Sequence, residues 1–390
     1  MNPEPVKICV ITTVSITLRA FLLEQLVFLS QNGFDVTVVC DNDRDFARDC
    51  PAELKYIPVH MIRGIGWLST FTGLWKLYRL FRIKKFSMIQ YSTPKAALLS
   101  SLAGFMAGIP VRLYCQWGIR YVGLSGLSRR IFKLIEKLTC LLSTDIAPDS
   151  RGNLDFCVGE GLYPAEKAYV VHKGSANGVD LEKFDLAKKA VWYDNSRSEL
   201  KIGKDCFVYG FVGRITRDKG INELVTAFIR MAESDAQIVL LLVGPKEERH
   251  GLEAGIMEAI DNHPRIYSVG AKSNPQEYIA AMDVMVLPSY REGFGIVAIE
   301  SQAMGVPVIA TDIPGPREAI INGETGILVP CKDAHALEEA MRVLRASKEM
   351  LDSMGRNGLE FVSEDFEQKR FWEKVLEHRR GLLSKRSVMS

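Results

Sequence analysis

Two short runs in the second half of the chain concentrate groups suited to gripping a phosphorylated, hydroxylated ligand. The first is Gly213-Arg214-Ile215-Thr216-Arg217-Asp218-Lys219-Gly220, directly after the apolar run Phe207–Val212. Arginine offers a planar fork and lysine a compact point charge, a pair that suits a diphosphate. Flanking glycines let a ligand approach the backbone, and the helical pattern that follows adds a positive N-terminus. In isolation, two solvated loop cations would look the same. The second run is Ser289-Tyr290-Arg291-Glu292-Gly293-Phe294-Gly295, after Val284–Pro288, with a helical pattern continuing through Met304. Glu292 and Glu300 are separated by seven residues. Glu300 falls among Ile296, Ile299 and Ala303, which turns it inward, and a carboxylate there can accept two hydrogen bonds from a vicinal diol such as a ribose. Acids also favour the first turn of a helix for electrostatic reasons alone, but Glu300 lies about two turns along, too far for that account.

These runs sit in a chain that alternates short apolar strands with amphipathic helices, twice. The first series of strands is expected at Lys7–Thr13, Phe34–Cys40, Leu54–His60, Ser87–Ser92, Val111–Gln116, Asp145–Pro148 and Ala168–His172. A polar stretch over 181–205 reads as a linker. The second series is expected at Phe207–Val212, Gln237–Val243, Ile266–Val269, Val284–Pro288, Val306–Ala310 and Thr325–Val329, with helices such as Asn222–Ala232 and His335–Arg345 between them. Such alternation specifies parallel sheets covered by helices on both faces. The organisation is therefore a Rossmann-like domain over 1–180, a second over 206–365, and a closing helical segment over 366–390. Two facing domains of this kind leave a cleft, and ligands bind at the carboxyl ends of the strands.

Composition agrees with this and narrows the alternatives. The 390 residues suffice for two domains, and 47% apolar with 25% charged residues is ordinary for a globular protein. Eight cysteines stand at 9, 40, 50, 115, 140, 157, 206 and 331 with no CxxC spacing, which reads as reduced thiols in a cytoplasmic protein. Val6–Thr13 lacks the flanking charge of a signal peptide. The uncharged stretch Ala96–Val111 is too short to span a bilayer and contains Gly104, Gly108 and Pro110. Asp41-Asn42-Asp43 has the spacing of a metal-binding DxD but reads better as a loop after the second strand.

The run Glu292–Glu300 resembles the E-x7-E motif of the retaining family 4 glycosyltransferases, which have the α/β GT-B fold; Gly213–Gly220 resembles their phosphate loop. Pro307–Asp312, Gly315, Glu318 and Gly323–Pro330 match the family's C-terminal pattern. The resemblance is strong over Cys206–Arg345 and weaker but continuous before it. It implies that Arg214 and Lys219 hold the donor diphosphate and that Glu300 binds the ribose hydroxyls. Glu292, with the amides of Gly293, Phe294 and Gly295, would contact the donor sugar, and Gly270-Ala271-Lys272 would lie beside the nucleobase. Arg214, Lys219 and Glu292 would be the catalytic set, configuration would be retained, and the sugar nucleotide, UDP-linked, would be a substrate with no further cofactor or metal. The N-terminal domain would take the acceptor. Two departures bear on it: Thr12-Thr13-Val14-Ser15 replaces a glycine-rich loop after the first strand, and Gln116-Trp117-Gly118-Ile119-Arg120 stands where many members place a histidine. Thr13, Gln116, Trp117 and Arg120 are the acceptor-side candidates, with Trp117 equally readable as a core aromatic.

Between His60 and Cys140 the sequence carries thirteen basic residues (Arg63, Lys76, Arg79, Arg82, Lys84, Lys85, Lys95, Arg112, Arg120, Arg129, Arg130, Lys133 and Lys137) against one acid, Glu136. Trp67, Phe71, Leu74, Trp75, Tyr78 and Phe81 interleave with the first cluster, and Ile131, Leu134, Ile135 and Leu138 with the second. Basic helices with such residues suit an anionic membrane surface; the same stripes could instead pack on the sheet. No nucleic-acid-reading module is visible. The expected partners are a nucleotide-sugar donor and a lipid-linked saccharide acceptor at the inner face of the plasma membrane. A nucleotide-sugar epimerase or dehydrogenase would want GxGxxG after the first strand, where Ile11–Ser15 has no glycine. A periplasmic-type binding protein would want an export signal. A glycosyltransferase with a soluble acceptor remains open, and a panel of radiolabelled sugar nucleotides separates these readings.

Overall fold

The computed structural model describes residues 4–61, 67–247 and 251–387; Arg63 and the side chain of Trp67, both counted in the basic segment, lie outside them. The chain forms two units, one of Met1–Asn177 with Arg370–Ser390 and the other of Gly178–Lys369.

In the first unit, β1 (Val6–Ile11), β2 (Phe34–Cys40), β3 (Lys55–Pro58), β4 (Met88–Tyr91), β5 (Val111–Gln116) and β6 (Asp145–Pro148) form one sheet. Its order is β3-β2-β1-β4-β5-β6, parallel throughout. The second unit repeats this with β7 (Phe207–Val212), β8 (Ile238–Val243), β9 (Ile266–Ser268), β10 (Val284–Leu287), β11 (Val308–Thr311) and β12 (Gly326–Val329). Its order, β12-β11-β10-β7-β8-β9, is the same doubly wound topology. Central strands are apolar on both faces because helices cover both: all six residues of β8 are buried. Each sheet accordingly has a core on either side, for example around Leu26, Val36 and Leu113 on one face of the first sheet and Leu77, Ile89 and Tyr114 on the other.

Two expectations need correction. The stretch 181–205 contains the helix Lys189–Glu199, which packs on the second unit. Its anchor is a buried arginine. Arg197 bonds Asp283 Oδ2 at 2.8 Å and the carbonyls of Ala281 and Cys206 at 3.1 and 2.7 Å, while Asp283 also accepts from the Val208 amide at 2.7 Å. The run Ala168–His172 makes a single bridge, Ala168 to Ile146, and no strand; its Val171 packs instead with Phe371, Trp372 and Val375 of the last helix. That helix, Gln368–Ser387, belongs from Arg370 onward to the first unit. There Arg379 is buried and donates to Gln90 of β4 at 3.0 Å.

Candidate active site

In a doubly wound sheet, the loops after the two central strands diverge and open a crevice at the strand ends. In the second unit those strands are β7 and β10, and their loops are the two runs singled out from sequence. They are joined directly: the Tyr290 amide donates to the Asp218 carbonyl at 2.9 Å. Gly220 lies in the left-handed region at φ 70°, and a Cβ there would sit 2.0 Å from the Pro288 carbonyl oxygen. Only glycine lets the first loop lie this close to the second. The helix Ile221–Ala232 starts at the next residue.

Lys219 and Glu292 meet at this crossing. Lys219 Nζ is 2.5 Å from Glu292 Oε1, and both side chains are largely buried. The Ser289 hydroxyl donates to the same oxygen at 2.8 Å, and its carbonyl accepts from Thr311 Oγ1. Asp218 gathers the other cations. It accepts from Arg291 at 2.9 Å and from Thr216 Oγ1 at 2.6 Å, and Arg214 approaches it at 3.8 Å. Burial works against the Asp218 charge, but Thr216, Arg291, Arg214 and Lys219 together hold its carboxyl below the usual range. Arg214 itself is exposed and bonds Glu247 at 3.1 Å. Behind the loop, the Tyr290 hydroxyl donates to Glu223 of the helix Ile221–Ala232 at 2.6 Å.

The helix Ile296–Ala303 opens after Gly295, so its first-turn amides point back over Gly293, Phe294 and Gly295. Phe294 turns its ring into the core against Phe366. Gly315 approaches the same turn: at φ 97°, a Cβ on it would lie 2.4 Å from the Gly293 carbonyl oxygen. Glu300 is the fifth helical residue, just over one turn in rather than the expected two, because the helix opens only after Gly295, and it is half-buried. It has no hydrogen bond or ion pair among the described residues. Burial pushes its carboxyl up to about 7, opposed only by the charge of Lys183. Ala271 is exposed beyond β9, next to Gly270, whose carbonyl accepts from the Gly244 amide at 2.8 Å, and Lys272, which lies over the Tyr278 ring.

The acceptor-side candidates of the first unit divide. Thr13, after β1, is buried and hydrogen-bonded through its amide and hydroxyl to Thr93 Oγ1, after β4, at 3.0 and 2.8 Å. Gln116 is a core residue. Its amide donates to buried Glu136 at 2.6 Å and accepts from Tyr163 and Cys157, so its side chain is fully buried with its polar atoms engaged inside the core. Trp117 is half-buried beside Phe21, and Arg120 is exposed over the Phe132 ring. Asp43 caps the helix Arg44–Asp49, and Asp41 accepts from His60 and the Met61 amide, so both acids are engaged locally. A cavity of about 700 Å³ bordered by Asp145, Lys167, Tyr169, His172 and His378 lies at the opposite end of the first sheet and includes none of the predicted residues.

Ser289, Asp218, Arg291 and Lys183 belong to the site's surroundings but were not singled out in the sequence. Ser289 had a signal, a hydroxyl three residues before Glu292. Lys183 had none, because it lies in the supposed linker.

Residues 193–361 match the family described as glycosyl transferases group 1, and residues 7–150 match glycosyl transferase 4-like proteins. The chain belongs to this glycosyltransferase family and is a transferase of GT-B fold. It is 31% identical to the capsular polysaccharide biosynthesis glycosyltransferase CapM of Staphylococcus aureus over 90% of this chain and 91% of that one. It is 24% identical, over 86% of each chain, to the UDP-Gal:alpha-D-GlcNAc-diphosphoundecaprenol alpha-1,3-galactosyltransferase of Escherichia coli. Among solved structures, sucrose-phosphate synthase from Thermosynechococcus elongatus superposes with a TM-score of 0.79 at 23% identity, over 97% of this chain and 100% of that one. Anabaena Alr3699/HepE in complex with UDP gives 0.75 at 18% identity, over 96% and 100%.

Proposed function

We propose that this enzyme is a retaining hexosyltransferase that moves a hexose or N-acetylhexosamine from a UDP-linked donor to a lipid-linked saccharide in surface-polysaccharide assembly. The observation that carries the donor half is the meeting of Lys219 and Glu292 at the β7–β10 crossing, with Arg214 on the same loop. Lys219, Arg214 and the first amides of the helix Ile221–Ala232 receive the diphosphate and stabilise the charge that grows on it as the glycosidic bond breaks. Glu300 takes the ribose diol, Glu292 the sugar hydroxyls, and Ala271 borders the base. The leaving phosphate oxygen accepts the acceptor's proton on the same face, which retains configuration.

The acceptor half rests on the named acceptor of the Escherichia coli relative and on one helix of the first unit. Helix Gly126–Leu142 exposes Leu127, Ile131, Leu134, Leu138 and Leu141. At 3.6 residues per turn these fall within an arc of about 80°, opposite the buried Glu136, Thr139 and Cys140. Arg130 and Lys137 are exposed beside the stripe, and Phe71 and Trp75 are exposed on helix Trp67–Lys84. Among the described residues no helix is long and apolar enough to cross a membrane. An exposed apolar stripe with flanking cations suits peripheral docking on an anionic cytoplasmic leaflet. The test is a panel of radiolabelled sugar nucleotides offered with lipid-linked and soluble saccharides, with the anomeric configuration of the product read by NMR. Transfer from a UDP-sugar to the lipid-linked acceptor with retention is expected; transfer only to soluble acceptors, or inversion, overturns the corresponding part.

A further inference from the structure

The residues assigned above to the diphosphate and to the donor sugar are bonded to each other. Lys219 Nζ lies 2.5 Å from Glu292 Oε1, with 18% and 14% of the two side chains exposed. The Ser289 hydroxyl fixes the same oxygen at 2.8 Å, and Ser289 is fully buried with its carbonyl held by Thr311. Arg214 is bound more loosely, to Glu247 at 3.1 Å with 43% of its side chain exposed.

We infer that Glu292 determines the preference for intact donor over sugar-free nucleoside diphosphate, by competing with the diphosphate for Lys219. The inference rests on the donor assignment proposed above. A diphosphate that takes Lys219 Nζ strips Glu292 of its cation and leaves a largely buried carboxylate with only the Ser289 hydroxyl. An unpaired buried charge is costly, and the cost opposes binding. An intact donor offsets it, because its sugar is bonded to the same phosphate and brings hydroxyl donors to Glu292. A nucleoside diphosphate has anionic oxygens at that position, which cannot donate and which repel the carboxylate. One side chain therefore favours the substrate and disfavours the product, a discrimination built partly on repulsion. After transfer, the sugar leaves Glu292, the carboxylate recaptures Lys219, and the nucleotide is displaced.

The test compares wild type with Glu292→Gln, which keeps the side chain's shape and its Ser289 contact but removes the charge. Uridine, UDP and the UDP-sugar that serves as donor are titrated calorimetrically into each. UDP should bind Glu292→Gln at least tenfold more tightly than wild type, about 1.4 kcal/mol. Uridine, which does not reach Lys219, should bind both alike, and the UDP-sugar should gain less than UDP. The UDP gain should vanish when Lys219→Ala is added. Should Glu292→Gln fold poorly, Glu292→Ala carries the same expectation for UDP. Wild type that binds UDP and UDP-sugar, with a Glu292→Gln affinity for UDP that is unchanged or weaker, overturns the inference and leaves the donor assignment standing. Wild type that binds neither overturns both.

Discussion

Donor binding should carry a proton linkage written by Glu300. The perturbation is pH, with Glu300→Gln as the control. Glu300 has no hydrogen-bond or ion-pair partner among the described residues, and burial raises its carboxyl from 4.5 to about 7. A ribose diol donates two hydrogens and so prefers the ionised carboxylate, which draws the bound-state pKa back down. Between the bound and free values, affinity changes about tenfold per pH unit. The donor should therefore bind about tenfold more weakly at pH 6 than at pH 8, and approaching a hundredfold more weakly at pH 5. Because the folded-state pKa lies above the ordinary one, the same group favours the fold fully below about 4.5, and that contribution is lost as pH rises through about 7. Ligand-free stability and donor affinity should thus move in opposite directions across this window. The assay is calorimetric titration with the UDP-sugar, whose diphosphate diester does not titrate in this range. Glu300→Gln should bind weakly and without the slope. A wild-type affinity flat from pH 5 to 8, or the same slope in Glu300→Gln, refutes the reasoning.

Two further outcomes concern the scaffold and the membrane. Arg197→Ala leaves the half-buried Asp283 with the Val208 amide but without its cation, leaves the space of a buried guanidinium, and unties the helix Lys189–Glu199 from Ala281 and Cys206. Thermal melts should show a loss of roughly 3 kcal/mol, and a loss under about 1 kcal/mol would mean the anchor lies elsewhere. Replacing Leu134 and Leu138 together by Gln removes two exposed side chains from the stripe; cosedimentation with anionic vesicles should weaken on the order of tenfold or more, with UDP binding and melting temperature unchanged. Equal vesicle binding by wild type and variant contradicts insertion of this helix.

The arrangement proposed as the donor site was legible because its groups are local. Arg214, Lys219, Glu292 and Glu300 lie on two loop-helix junctions whose apolar strands, glycines and spacing are all written within short windows, and doubly wound topology brings such loops together after the central strands. Arg197 shows what was not legible. The helix Lys189–Glu199 docks through a guanidinium on backbone carbonyls and through Trp192 against the core, and a polar helix without an apolar stripe looks like linker. Ala168–His172 has a strand's composition, but its apolar partner is a helix some two hundred residues later. Gln116 could not be told from a ligand-facing residue, because Glu136, Cys157 and Tyr163, which engage it, lie 20 to 47 positions away. Helix Gly126–Leu142 has apolar residues on both sides, and only the structure shows which of them the sheet leaves uncovered.

The central claim is that the β7 loop grips the leaving diphosphate, and steady-state turnover of Lys219→Ala and Arg214→Ala with the active UDP-sugar tests it most directly. Each side chain meets charge that grows as the bond breaks, so its removal should lower kcat on the order of a hundredfold or more, with melting curves showing the fold intact. Both variants turning over at the wild-type rate would contradict the account.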